Sequence, residues 1–120
     1  MRRRFDVCWT KTAAQDLEAI VDYIAHESFD TALRILTKVR GAAATLSSTP
    51  HRGRVVPELR THGILVYHEL VVSPWRMIYR IGEGQVYVLA MFDSRRNLED
   101  VLLERFTRQK TETPPGSGGA

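Results

Sequence analysis

Cysteine is almost absent from this chain of 120 residues, since Cys8 is the single example. One cysteine cannot form an internal disulfide or a cysteine-rich zinc site, which is typical of a reducing cytoplasm, and Cys8 is expected to pack in a first strand. No stretch approaches the roughly 20 apolar residues that cross a bilayer, and Asp6 and Lys11 interrupt any apolar run of a signal peptide. We therefore expect a soluble cytoplasmic protein without a metal or another cofactor.

Lysine is also scarce, because 14 of the 17 basic residues are arginine, and the net charge is +3. Arginine makes planar, bidentate contacts with anions, which suits an acidic protein partner or RNA. A GC-rich genome would produce the same bias, so charge alone does not decide between a functional and a neutral cause.

Two helices are predicted in the first half of the chain, after a short strand at Arg4 to Trp9. Apolar residues at helical spacing indicate a first helix from Ala13 to about His26, with Thr10 or Thr12 as its cap. A second helix follows the capping sequence Ser28-Phe29-Asp30 and ends before Pro50. With so short a connection the helices should form an antiparallel hairpin.

Three β-rich runs fill the second half: Ile64 to Val72, Trp75 to Ile81 and Gln85 to Phe92. Short turn sequences separate them, which predicts an antiparallel meander, and a loop with one extended piece at Arg54 to Val56 precedes it. A last helix capped by Ser94 should follow. The predicted fold class is α+β, in the order β-α-α-β-β-β-α, with a two-layer arrangement in which the helical hairpin covers one face of an antiparallel sheet. Pattern alone leaves the position of the first strand open.

One domain is expected over residues 1–110. Residues 111–120 consist of Thr, Glu, Pro, Gly, Ser and Ala and contain no large apolar side chain that could anchor them to a core. They are predicted to form a flexible tail.

Five segments in register resemble the RelE/ParE superfamily of toxins. They are AAQDLEAIVDYIAHES (13–28), TPH with GRVVPEL (49–51 and 53–59), YHEL (67–70), WRMIYRI (75–81) and DSRRNLEDVLLER (93–105). The resemblance runs from about Phe5 to Arg108 and is closer to the ParE branch. It implies the same fold, growth arrest, a role in plasmid or chromosome stability, and an antitoxin encoded beside the toxin.

The superfamily divides by target: RelE-like members resemble ribosome-dependent nucleases that cut mRNA, and ParE-like members resemble inhibitors of DNA gyrase. By this resemblance Arg76 stands where RelE-like toxins carry a phosphate-binding arginine, and Arg95 or Arg96 where a second one lies. Arg52 and Arg54 match a lysine pair only loosely. Cleavage also needs a group that transfers protons, commonly Tyr or His. By the same resemblance this group would lie in the final segment, where this chain has Leu98, Val101 and Leu102. The proton-transfer group of a nuclease is therefore missing, and gyrase inhibition is the favoured function.

A binding toxin needs an exposed surface, and alternation along Trp75 to Ile81 places Arg76 and Arg80 on the outer strand face. The arginines expected to be exposed and to bind the target are Arg52, Arg54, Arg76, Arg80, Arg95 and Arg96, with Arg60 beside them. A solvated basic face with ion pairs to Glu58, Glu69 and Asp93 is the alternative, and it stays open for Arg80 in particular.

The histidines bear on the nuclease alternative. His68 shares its predicted strand face with apolar residues, which favours a hydrogen-bonded packing role over catalysis. His51 and His62 lie in the predicted loop, and one of them near Arg76 would be the remaining candidate base. If the chain is a nuclease, Arg76, Arg95 and His51 are its predicted catalytic residues.

The expected partner is a cognate antitoxin, ParD-like or RelB-like, because an arginine-rich face is neutralised most simply by an acidic segment that folds on binding. This segment should cover the groove beside the helical hairpin with apolar anchors. We expect a hetero-oligomer that binds operator DNA through the antitoxin, DNA gyrase as target, the ribosome as the alternative target, and no membrane. A third interpretation is a detoxified family member that only binds its partner.

Overall fold

The computed structural model describes residues 4–111, and the side chains of residues 4–107. Its helices are α1 Lys11–Ala25, α2 Phe29–Ala44, α3 Pro57–Arg60 and α4 Leu98–Thr111, and a 3-10 turn at Thr45–Ser47 extends α2. Its strands are β1 Asp6–Trp9, β2 Arg54–Val55, β3 Tyr67–Val72, β4 Trp75–Ile81 and β5 Gln85–Asp93. Apart from Thr111, the predicted tail over 111–120 lies outside the described residues.

The strands form a five-stranded sheet in the order β1-β5-β4-β3-β2. The meander β3-β4-β5 is antiparallel, as the sequence predicts. The first strand lies at the edge beside β5 and runs parallel to it, with Asp6 opposite Gln85 and Trp9 opposite Val88. The α+β class and the predicted order of the main elements are confirmed, and the parallel pair makes the sheet mixed.

The helical hairpin forms as its capping residues predict. Thr10 Oγ1 accepts a hydrogen bond from the Ala13 amide at 3.2 Å, and Ser28 Oγ accepts one from the Thr31 amide at 3.1 Å. Thr10 therefore caps α1, and Thr12 lies within the helix. The apolar stripes of α1 and α2 pack against one sheet face in the main core, which contains these residues: Ala13, Leu17, Val39, Ala43, Leu46, Leu70, Val72, Met77, Tyr79, Val86, Val88 and Met91.

The opposite face of the sheet is also covered, which the sequence analysis did not predict. Its core contains Val56, Ile78, Phe92, Leu98 and Val101, so α4 and the segment around α3 pack there. The interpretation that this side of β4 faces solvent is therefore wrong. The four-residue helix α3 is too short for a periodic pattern, although Pro57 at its start is a typical signal.

Two polar contacts fix α4. Asn97 Oδ1 accepts a hydrogen bond from the Asp100 amide at 2.8 Å, so Asn97, and not the predicted Ser94, provides the cap. The carboxylate of Asp16, on α1, accepts hydrogen bonds from the Met91 amide and from Arg105, each at 2.9 Å. Asp16 thus joins α1, β5 and α4 where the register of β4 with β5 shifts.

Candidate functional site

Arg76 lies on β4, on the face that α3 and α4 cover, and only 6% of it is exposed. Its guanidinium donates four hydrogen bonds. Nε donates to Glu69 Oε1 at 2.7 Å, Nη1 to Glu58 Oε2 at 2.7 Å and to the Arg96 carbonyl at 3.0 Å, and Nη2 to Glu58 Oε1 at 2.7 Å. Nη2 also lies 2.6 Å from Glu69 Oε1 in an ion pair. The guanidinium also lies 5.0 Å from the centre of the Phe92 ring. The expectation that Arg76 is exposed is therefore wrong.

Glu58 connects Arg76 to two helices. It belongs to α3, and besides Arg76 it accepts a hydrogen bond from the Leu98 amide at the start of α4, at 2.8 Å. The hydrogen bonds from Arg76 lower the pKa of this carboxyl from 4.5 to about 2, against the opposing effect of burial. The same bonds raise the pKa of Arg76. The pair is therefore ionised over the whole physiological range.

Glu69 completes the group from β3. It is 1% exposed, and its second oxygen accepts a bond from Arg54 Nε at 2.7 Å. Two arginines thus face two glutamates, and the formal charges of Arg54, Glu58, Glu69 and Arg76 sum to zero. We call these four residues the charge cluster. Sequence reasoning named the glutamates only as ion-pair partners of a solvated face, because alternation cannot reveal that two helices close over that face.

The remaining predicted arginines are exposed, and they differ in their partners. Arg95 pairs with Asp93 at 2.8 Å and Arg96 with Glu104 at 3.2 Å. The hydrogen bonds from Arg95 lower the pKa of Asp93 to about 2. Among the described residues Arg60 and Arg80 have no ion pair. Exposed arginines are therefore present on the surface, but Arg76 is not one of them.

His51 and His68 lie together on the hairpin side of the sheet, away from Arg76. Their ring centres are 5.7 Å apart, and the His68 ring stacks on Tyr79 at 5.6 Å. Desolvation, with the nearby His51, lowers the pKa of His68, against a raising contribution from the Val66 backbone. His68 is thus a packing residue, as predicted, but its Nδ1 is buried without a hydrogen-bond partner among the described residues.

Tyr79 positions the loop that carries His51. Its hydroxyl donates to the Pro50 carbonyl at 2.7 Å and accepts from the Gly53 amide at 2.9 Å. His51, which a nuclease would need near Arg76, therefore lies on the other side of the sheet, beside His68. His62 is exposed in the segment between α3 and β3.

No histidine or tyrosine of the described residues hydrogen-bonds Arg76. Tyr67, on β3, lies on the same sheet face as Arg76, on β4. However, Tyr67 pairs with Arg80, and Arg76 pairs with Val71. Those positions are four residues apart along β3, which corresponds to about 13 Å. Leu98 and Val101, at the positions where a nuclease group was sought, are packed in the second core.

No helix within the described residues is long and apolar enough to cross a membrane. Over the same part of the chain, no three His, Cys, Asp or Glu side chains are grouped so that they could hold a metal ion. The site consequently consists of the charge cluster and the exposed arginines around it.

Comparison with known proteins identifies the family. The model described as "ParE toxin of type II toxin-antitoxin system, parDE" matches residues 7–98. A curated relative, Toxin RelE2 of Caulobacter vibrioides, is 34% identical over 91 residues, which cover 75% of this chain and 96% of the relative. The chain therefore belongs to the ParE toxin family, within the RelE/ParE superfamily, and is a toxin of the type II toxin-antitoxin class. The resemblance seen in the sequence is confirmed.

Solved structures agree with this fold. The chromosomal ParDE toxin-antitoxin system of P. aeruginosa is similar with a TM-score of 0.61 and 20% identity, covering 75% of this chain and 96% of the other. The toxin-antitoxin complex RelBE2 of Mycobacterium tuberculosis is similar with a TM-score of 0.52 and 22% identity, covering 78% and 94%. At these identities the likeness establishes the fold.

Proposed function

We propose that this toxin arrests growth by binding DNA gyrase and inhibiting it, without catalysing a reaction. The observation that carries the proposal is the enclosure of Arg76 by Glu58 and Glu69. The arginine that a related nuclease would direct at phosphate has each of its three guanidinium nitrogens hydrogen-bonded to a carboxylate here. A gyrase inhibitor needs only a complementary surface.

Electrostatics disfavours phosphate at Arg76. A phosphate that approached it would meet two carboxylates as well as the arginine, in a region where charges are poorly screened. Removing one carboxylate from a buried pair typically costs 3–5 kcal/mol. Phosphate would have to supply that energy before any transition state is stabilised. Nor do the described residues place a histidine or tyrosine within hydrogen-bond reach of Arg76, and the carboxylates beside it are already held in ion pairs.

The exposed arginines support a binding role. Arg52, Arg54, Arg80, Arg95 and Arg96 would provide the contacts to an acidic or DNA-bound target. Arg80 is the most informative of them, because it has no ion pair among the described residues that a partner would have to break. Contacts of this kind also accelerate association through long-range attraction.

Supercoiling by purified gyrase provides the test. The toxin should inhibit it, and Arg80→Glu should weaken inhibition at least about tenfold, the effect of losing one charged contact. Arg34→Glu is the matched control, since Arg34 is exposed on α2 and lies outside the proposed surface. Unimpaired supercoiling at a large excess of folded toxin would contradict the proposal.

We further propose that a cognate antitoxin, ParD-like or RelB-like, neutralises the toxin in a cytoplasmic hetero-oligomer that binds operator DNA through the antitoxin. The related solved structures, which are toxin-antitoxin systems, support this partner. The pair would stabilise a plasmid or a chromosomal segment. Growth arrest by the toxin alone, relieved by the protein of the adjoining reading frame, is the expected result. A chain that causes no arrest by itself would instead be a detoxified family member.

Ribosome-dependent cleavage of mRNA is the alternative. It is favoured by the 87% exposure of the Arg95 side chain, which could exchange Asp93 for an RNA phosphate, and by the exposed His51. This activity predicts transcripts cut at codon positions in arrested cells, and cuts that disappear in Arg95→Ala and His51→Gln. Intact transcripts in arrested cells would exclude it.

A further inference from the structure

A groove of about 440 Å³ lies between helix α2 and the outer edge of strand β3. None of the residues that line it is acidic. They are Lys38, Gly41, Ala42, Thr45, Arg52, Leu70, Val71, Val72 and Ser73. The groove's two basic residues are Lys38 and Arg52, and only Arg52 belongs to the proposed target-binding arginines.

The backbone along this groove is an open strand edge. β2 pairs with β3 only through Arg54 opposite Glu69 and Val55 opposite His68. The Val56 amide donates to the Tyr67 carbonyl at 3.0 Å, so the backbone N–H and C=O of Tyr67 point towards β2 and away from β4. Because this direction alternates along a strand, the backbone groups of every second residue after Tyr67 point the same way. Val71 is the next such residue after Glu69.

Within the described residues, Val71 has no strand partner on its outer side. The chain before β2 turns away, because the Arg52 amide donates to the Thr49 carbonyl at 3.1 Å. Val71 is 52% exposed. An unpaired edge with an exposed apolar residue is a template on which another extended chain can pair.

The two cationic side chains that line the groove donate hydrogen bonds to uncharged oxygens. Lys38 Nζ donates to the Ser73 carbonyl at 3.2 Å, and Arg52 Nη1 donates to Thr45 Oγ1 at 2.8 Å. Arg54, by contrast, is already paired with a carboxylate. Among the described residues no carboxylate neutralises Lys38 or Arg52, so this edge selects a negatively charged segment.

We propose that an extended acidic segment of the antitoxin adds to the sheet as a strand at the open edge of β3, with its carboxylates over Lys38 and Arg52. This inference rests on the proposed antitoxin, but not on gyrase as the target. Because neighbouring side chains of a strand point to opposite faces, the segment should alternate acidic residues, towards α2, with apolar residues that cover Val71. It would also cover Arg52, one of the proposed target contacts, and thereby exclude the target.

Hydrogen exchange tests the backbone pairing directly. One probe is the antitoxin encoded beside the toxin and purified with it, and the second is a synthetic peptide of about six alternating Glu and Val residues. Exchange of the Val71 amide should slow at least about tenfold with either probe. A peptide with Gln in place of Glu is the matched control and should protect it far less. An unprotected Val71 amide in the complex overturns the proposal.

Variants test the same contacts through the affinity of the purified, folded toxin for the antitoxin. Affinity is measured in place of toxicity because Arg52 is also a proposed target contact. Val71→Pro removes the outward amide without removing a bond to β4, and should weaken antitoxin binding about tenfold, whereas Val71→Thr should not. Lys38→Glu/Arg52→Glu should weaken it further, and Lys11→Glu should have no effect. If the folded double variant binds antitoxin as tightly as the original chain, the proposal is wrong.

The two proposals can fail separately. Gyrase inhibition is measured on the toxin alone, and strand addition is measured on antitoxin binding. A toxin that leaves gyrase active but protects Val71 in its complex would refute only the target. Antitoxin bound elsewhere, for example over the exposed Leu102 and Phe106 of α4, would refute only the strand addition.

Discussion

Replacing Glu58 with Gln perturbs the charge cluster with little change in shape. Glu58→Gln keeps an oxygen that can accept the Leu98 amide, but it removes one of the two negative charges beside Arg76. A carboxyl pKa of about 2 in place of 4.5 corresponds to ~3 kcal/mol of stabilisation at neutral pH. Since the side chain keeps 17% exposure, solvent reduces this, and we expect a loss of about 2 kcal/mol.

The effect should depend on pH in a defined direction. A carboxyl whose pKa is lower in the folded chain stabilises it above the unfolded value, near 4.5, and this contribution disappears as the pH falls through about 2. The difference between the original chain and Glu58→Gln should thus be full above pH 5 and shrink towards pH 2. Urea denaturation followed by circular dichroism at several pH values measures it.

Matched variants separate the loss of charge from general damage. Arg95→Gln breaks an exposed pair and should leave the urea midpoint unchanged. Glu58→Gln/Arg76→Met should be less destabilised than the sum of its single variants, because the charges of the remaining pair, Arg54 and Glu69, balance. Equal stability of Glu58→Gln and the original chain at pH 7, or a difference that persists unchanged at pH 2, would refute the reasoning.

Two further predictions concern the loop before β2 and the histidine behind it. Gly53→Ala should unfold at lower temperature, by about 2–3 kcal/mol of stability, because its methyl group would overlap the Glu69 carbonyl and the Tyr79 hydroxyl. Gly41→Ala, in the last turn of α2 with open space around the added methyl group, should gain about 0.5–1 kcal/mol in the same melting experiment, and the opposite order would contradict this account. His68 should titrate below 6.5 in an NMR experiment, so that its contribution to stability is present above that pH and is lost as the pH falls. An unshifted or higher pKa would contradict desolvation as the dominant influence on His68.

The sequence predicted those parts of the fold that local pattern controls. The helical spacing in α1 and α2 and the caps Thr10 and Ser28 are local signals, and the helices lie where those signals place them. The turns of the meander, with glycine or proline, are equally local. Gly84, with φ of 74°, adopts a conformation that favours glycine and ends the turn before β5.

The environment of the candidate site could not be predicted in the same way, because contacts between distant segments build it. Alternation assigned Arg76 correctly to the strand face opposite the hairpin. It could not reveal that Glu58, 18 residues earlier, binds Arg76 from a four-residue helix. Nor could it reveal that α4 closes over Arg76. A buried arginine requires buried acids, so the signal available in the sequence was Glu69 inside an otherwise apolar strand.

The function of an arginine at this strand position therefore depends on residues that lie outside the strand. In a nuclease the cation must remain unsatisfied until phosphate arrives, whereas here Glu58 and Glu69 satisfy it within the fold. The hydrogen bonds of Arg76 therefore hold α3, α4 and β3 together, and its guanidinium is not free to stabilise a transition state. Exposed arginines without a carboxylate partner among the described residues, such as Arg80 and Arg52, can instead form ion pairs with another molecule. It follows that substitutions at Arg76 should be read first as changes in folding, and substitutions at the exposed arginines as changes in binding.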